Sequence, residues 1–410
     1  MHITGIATAI GLNGFAHKDL AAIKRGYQPD GFFYKGPAVS PGFSEVSQAG
    51  HVLCLMLRLS DGLVAQGDCL DVIFAGAAGR DPVFVPQEHL PAVEAVLAPA
   101  LTGQSVTSFR SLAERLDTLT WNGQPLHTAL RYGLSQALLH ATALAKRQTM
   151  AQVIAQEYGV ACGQAMLPIL VSIPKTDPLV LDRMIMKQAE LLPHASFTVV
   201  EADLGLRGEK LIAYARELAV RIGQVGAPGY RPRIHLDTYG TIGELFAKDV
   251  SAIATYLGAV QAAAQPFEIL VESPIIAVSM DEQIALYGAL RQELARRGIG
   301  VKLIVDEWCN TLADIRRFGA AGAADFVQIK APDLGGLTNT IEAILYCREI
   351  GLGSCLGGTA NDTDQASRIT THVGLACGPD FLLGKPGLGG DAALMIMRNE
   401  MARSLVLHQG

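Results

Sequence analysis

The sequence predicts an α/β protein, a TIM-type (β/α)8 barrel preceded by a smaller α+β capping unit. Three observations carry that prediction. From about residue 165, short apolar runs alternate with helix-length segments, giving candidate strands and helices in turn over about 220 residues. Several of those runs end abruptly on charge: Arg233 to Asp237, Glu268 to Glu272 and Val301 to Asp306 on an acid, Asp325 to Lys330 on a lysine. No glycine-rich turn follows the first of them, as a doubly wound nucleotide-binding sheet would require.

Length and composition fit this division. A chain of 410 residues exceeds one average domain, and the change of pattern divides it into residues 1–160 and 161–410. Half of the chain is hydrophobic and 18% is charged, which suits a large buried core. A net charge of −6 gives no electrostatic case for nucleic acid or an anionic membrane as partner. The start, Met1 to Gly5, has no signal-peptide pattern, and no apolar run approaches the roughly 20 residues needed to span a bilayer. The seven cysteines are dispersed without C-x-x-C spacing, so reduced thiols in a cytoplasmic protein are expected.

The first unit opens its regular structure at His51 to Leu59, a strand pattern joined by the turn Ser60-Asp61-Gly62 to a second strand, Leu63 to Asp68. Asp71 to Pro82 is a loop, glycine-rich over Gly76 to Pro82, either a tight connection or a flap over an active site. It lacks the G-K-[ST] of a phosphate loop. Helical patterns follow at Leu90–Leu97, Ser108–Leu119 and Thr128–Lys146, the last with a clear 3.6-residue apolar face. In the barrel the strand candidates are Leu167–Ser172, Ser196–Val200, Arg233–Asp237, Glu268–Glu272, Val301–Asp306, Asp325–Lys330, Gly353–Gly357 and Phe381–Leu383. Helices are expected between them, among them Gly208–Ile222, Val250–Ala264, Asp281–Arg297, Thr311–Phe318 and Thr338–Glu349.

In such a barrel the C-terminal strand ends converge on one mouth, so residues distant in sequence become neighbours. Asp237, Glu272 and Asp306 recur roughly every 35 residues, about one βα unit each. Three converging carboxylates repel unless a cation lies between them, and an all-oxygen set suits Mg²⁺. Lys330 ends the next strand, where a cation and partial burial can lower its pKa and make it a base; the plainer reading is an ion pair to one of the acids. His194, read as preceding a strand, is either structural or a second group reaching the site from the opposite side. This set suits removal of a proton next to a carboxylate. The enolate so formed is stabilised by the metal and can eliminate, re-protonate or rearrange.

Longer motifs narrow the choice. Ala78-Gly79-Arg80-Asp81-Pro82, Leu126 to Gly133, Leu192-Pro193-His194-Ala195, His235 to Gly243, Val305 to Thr311 and Val327 to Gly336 together resemble the methylaspartate ammonia-lyase family of the enolase superfamily, over nearly the whole length. The resemblance implies an enolase-like fold and Mg²⁺ held by Asp237, Glu272 and Asp306. It implies Lys330 as the base at C3 of a 3-substituted aspartate, His194 on the other face, and loss of ammonia from C2. Gln328 and Thr359 would bind substrate carboxylate, with Ile73, Ser172, Cys355, Ala360 and Leu383 as further pocket positions. A homodimer and a small amino diacid substrate are implied as well.

The resemblance fails at five pocket positions. Ile73 and Ser172 stand where the family has glutamine, Leu170 where it has phenylalanine, Cys355 where it has tyrosine, and Ala360 where it has cysteine. Intact machinery with an altered pocket is therefore expected, since lost hydrogen-bond partners change substrate preference strongly. The alternative within enzymes is a racemase, epimerase or dehydratase on another carboxylate. Those relatives carry a K-x-K pair on an early strand, and residues 167–174 have none. A non-catalytic homologue is disfavoured by the joint retention of the three acids and Lys330.

Overall fold

The computed structural model describes residues 1–408. Three antiparallel strands, β1 (Ile3–Lys18), β2 (Ser47–Leu59) and β3 (Val64–Cys69), form the cap sheet in the order β1-β2-β3. Along β2 the pleat turns Leu53, Leu55, Leu57 and Leu59 inward, 0–3% exposed. They face the helix Thr128–Lys146, whose Gly133 permits the close approach: a Cβ there would lie 2.4 Å from the Cys69 nitrogen. The long β1 was not expected, because its run is interrupted by Gly5, Gly11 and Gly14 and shows no clean alternation.

Eight parallel strands then close into a barrel in sequence order. They are β4 (Ile169–Leu170), β5 (Leu191–Ser196), β6 (Arg233–Asp237), β7 (Ile269–Glu272), β8 (Lys302–Val305), β9 (Phe326–Ile329), β10 (Gly353–Leu356) and β11 (Phe381–Leu383). A helix follows each strand, from Pro178–Met186 to Gly389–His408. Seven strand positions agree with the sequence reading, and the second differs. The strand is Leu191–Ser196, while the expected run at 196–200 leaves the sheet for a short helical turn, Val200–Leu204. Pro193 lacks an N–H for the ladder and so argued against a strand there. The sheet accommodates it with a register shift opposite His235 and Leu236.

The strand period of two sorts the barrel side chains. Leu170, Leu191, Leu270, Ile304, Cys355 and Phe381 form a small apolar cluster inside the barrel, separate from the large core between strands and helices. Two residues further along their strands stand Asp237, above His235, and Glu272, above Leu270, at the barrel mouth. The cap covers that mouth. Gly14 of β1 lies against the loop after β10, where a Cβ would come 2.4 Å from the Asp362 carbonyl oxygen, and its N–H donates to the Asn361 carbonyl at 2.9 Å. No helix among the described residues is long and apolar enough to cross a membrane.

Candidate active site

A cavity of about 510 Å³ lies between cap and barrel mouth. Asp237, Glu272, His194, Gln328 and Lys330 reach it from the barrel, and Thr359 and Ala360 from the loop after β10. Ser172 and Leu383 line it as well, and the cap contributes Ile73 and Phe74. Cys355 and Leu170 do not reach it. Both are fully buried in the cluster beneath, a layer that a side chain as short as a thiol does not leave.

Register builds the acidic floor. Asp237 and Glu272 pair directly across β6 and β7, and Asp306 follows the end of β8 on the adjoining strand. All three are at most 2% exposed. The backbone is left-handed at His194, Tyr239, Ser273 and Trp308, with φ of +46°, +44°, +47° and +64°, the first within β5 and the others just beyond strand ends around the mouth. Non-glycine residues held in that region store strain, and they cluster at functional sites.

Two cations answer these acids. The Lys330 Nζ donates to Asp306 Oδ2 at 2.5 Å. Arg80, from the cap, donates from Nε to Asp333 at 2.8 Å and places Nη2 3.7 Å from the other Asp306 oxygen. The sequence reading expects a cation, together with partial burial, to lower the pKa of Lys330. Burial does push Lys330 down, but the Asp306 carboxylate outweighs it and holds the ammonium above its ordinary value. Burial, with His235 and Lys330 nearby, pushes His194 well below its ordinary value, so the ring is neutral. His235 is pushed down to about 3 by burial. Its Nε2 lies 3.0 Å from Glu272 Oε2 but off a hydrogen-bonding angle, and both ring nitrogens lack a partner.

The loop 71–82 lines the cavity with Ile73 and Phe74 and is tied down at its glycine-rich end. The Ala78 carbonyl accepts from Asn310 Nδ2 at 2.6 Å, and the Asp81 carboxylate from the Thr128 N–H at 2.9 Å. Two further site residues have no role in the sequence reading: Arg80, which this loop carries, and Glu307, 4% exposed and accepting from the Ser273 hydroxyl. Adjacency to Asp306 in the run Val305 to Thr311 was the available signal for Glu307. A buried ion pair, Lys385 to Asp362 at 3.1 Å, supports the Thr359 loop from below, and the Thr359 N–H donates to the same carboxylate at 2.9 Å.

The floor fits a divalent cation. Asp237, Glu272, Asp306, Glu307 and Asp333 outnumber the two cations, Arg80 and Lys330, that face them. Burial, followed by repulsion from the neighbouring carboxylates, raises Asp237 and Glu272 well above the usual carboxylate range. Charge that cannot be expressed without a counter-ion is what a metal relieves. A second donor group, His194, His235 and Glu272, has its ligand atoms within 4.8 Å of one another. An ion there would leave Asp237 uncompensated, and hard oxygen donors suit Mg²⁺ better than imidazole.

Comparison with known proteins gives the same answer over the whole chain. A family profile described as "Methylaspartate ammonia-lyase N-terminus" matches residues 1–159, and "Methylaspartate ammonia-lyase C-terminus" matches residues 161–410. Methylaspartate ammonia-lyase 2 of Carboxydothermus hydrogenoformans is 46% identical over 408 residues, covering 99% of this chain and 98% of the relative. The Citrobacter amalonaticus methylaspartate ammonia-lyase structure containing (2S,3S)-3-methylaspartic acid is 41% identical with a TM-score of 0.96, covering both chains fully. The Mg complex of β-methylaspartase from Clostridium tetanomorphum is 42% identical with a TM-score of 0.92, covering 100% of this chain and 99% of that one.

Proposed function

The chain belongs to the methylaspartate ammonia-lyase family, and from that premise we propose that it eliminates ammonia from 3-methylaspartate or a related 3-substituted aspartate with Mg²⁺ as cofactor. The observation that carries this is the acidic floor of Asp237, Glu272 and Asp306 sharing one mouth with Lys330 and His194. Asp237, Glu272 and Asp306 would hold the Mg²⁺, which would supply positive charge against the substrate carboxylate next to C3, where negative charge develops.

The remaining steps belong to side chains. Lys330 takes the C3 proton, and can do so only once Asp306 no longer holds its ammonium form. His194, neutral and partly open to the cavity, holds or moves a proton on the other face of C3. Gln328, whose amide donates to Glu272 at 3.3 Å while its Oε1 has no partner, stands beside the ligand acids to orient the substrate. Thr359, set by Asp362, presents its hydroxyl to a carboxylate. With the C3 proton gone, the C–N bond at C2 breaks and the amine leaves as ammonia.

Seven free cysteines support a reducing compartment, the cytoplasm. A homodimer is part of the reading, on family likeness, and sedimentation at micromolar concentration tests it. The decisive assay follows ammonia release and the absorbance of the unsaturated diacid with 3-methylaspartate, aspartate and larger 3-substituted aspartates. Turnover of at least one is expected; none from any amino diacid overturns the lyase reading.

A further inference from the structure

The cap side of the cavity differs in charge from its floor. Lys18 ends β1 and lines the cavity, and its N–H donates to the Ile73 carbonyl at 2.9 Å, so the two residues form one wall. Among the described residues its Nζ has no ion pair and no hydrogen bond; it rests 4.0 Å from the Phe32 ring centroid and 5.7 Å from that of Tyr34. The acids that could neutralise it are committed elsewhere. Asp19, fully buried, accepts from the N–H groups of Ala21, Ala22, Val39 and Ser40. Asp203 pairs with Lys175 at 2.5 Å and accepts from Thr198 and Val199. The only acids lining the cavity are Asp237 and Glu272, both on the floor. Apolar side chains, Ile23, Val72, Ile73 and Leu383, line the cavity as well. Burial lowers the Lys18 pKa, as it does for an ammonium without a counter-ion. A volume of about 510 Å³ is in the range that encloses ligands well beyond the size of aspartate.

We propose that Lys18 is the anion-binding end of a substrate subsite, so that this enzyme takes aspartates whose C3 substituent has an apolar stem and a terminal carboxylate. The proposal rests on the lyase reading above and deepens it. The stem lies on the Ile73 and Leu383 wall, and the terminal carboxylate accepts a charge-assisted hydrogen bond from the Lys18 Nζ. The stacked Phe32 ring holds the ammonium in place and cannot neutralise it.

The test uses the full chain with Mg²⁺ and two 3-substituted aspartates of equal length, one ending in a carboxylate and one in the neutral carboxamide. The expected kcat/KM favours the carboxylate by about tenfold, as one such bond allows. Lys18→Met should bring that ratio close to one, and Lys18→Glu should invert it. A ratio near one in the unmodified protein, or a preference that both variants retain, overturns the subsite. Ammonia release from 3-methylaspartate without any preference between the two longer substrates rejects the subsite and leaves the lyase reading standing. Ammonia from none of them rejects the lyase reading. Calorimetric titration of the same pair into unmodified and Lys18→Met protein then decides the subsite on binding alone, with equal affinities counting against it.

Discussion

The floor and the cap wall of the cavity are built on opposite terms. On the floor the charged groups are buried and interlocked: Lys330 holds Asp306, Arg80 holds Asp333, and Ser273 donates to Glu307, while Asp237 and Glu272 crowd one another without a cation of their own. The cap wall is mostly apolar, with one ammonium that nothing among the described residues neutralises. The difference shows what each region can tolerate. A floor residue cannot change without orphaning its neighbours in a medium where an unpaired charge is costly. A wall residue such as Ile73 can change with little effect beyond the shape and polarity of the space it faces. In the proposed function, chemistry belongs to the floor and substrate choice to the wall.

That contrast orders the expected effects of substitution. The largest is at the base: Lys330→Ala should lower turnover by about a thousandfold, roughly 4 kcal/mol, and abolish exchange of the C3 proton with solvent deuterium for one stereoisomer. Exchange that persists, read by NMR, removes Lys330 from its role and breaks the contrast at its strongest point. Next is Arg80→Leu, which leaves Asp306 and Asp333 without their cap partner and should cost about 3 kcal/mol of stability in urea denaturation. A loss under about 1 kcal/mol would show that the floor does not depend on its partners in the way described.

Chelation is the third probe. If Mg²⁺ relieves the floor, an ion present at a hundredfold its dissociation constant adds about 2.7 kcal/mol to stability, and a chelator should lower the melting temperature accordingly. An unchanged melting temperature would mean that no cation relieves these acids. The smallest effect belongs to the wall. Ile73→Gln places an amide where the family resemblance has one. It should improve kcat/KM for 3-methylaspartate by roughly fivefold, about 1 kcal/mol, while leaving the melting temperature nearly unchanged. A stability change as large as that of Arg80→Leu would erase the distinction between wall and floor.

Much of the floor was legible because barrel strands end where the mouth begins. Asp237, Glu272, Asp306 and Lys330 each terminate an apolar run, and strand ends converge by construction. The misplaced second strand shows the limit of that reasoning. Pro193 weakened the local pattern, although the sheet takes it up with a register shift, and His194 therefore sits within a strand and not before it. Arg80 could not be read in the same way. It lies in a glycine-rich loop of the other domain, and nothing in its neighbours along the chain announces that it faces Asp306.

By itself the sequence determined the fold class and the family, and it nominated the groups that the proposed chemistry uses. These follow from local periodicity and from motifs longer than chance supplies. The tertiary structure alone decided which charges neutralise one another. It set Lys330 above its ordinary pKa by placing it 2.5 Å from Asp306, and it left Lys18 without a counter-ion over the Phe32 ring. The reason is physical: Coulomb and desolvation energies depend on distance and burial, and neither is a property of position along the chain.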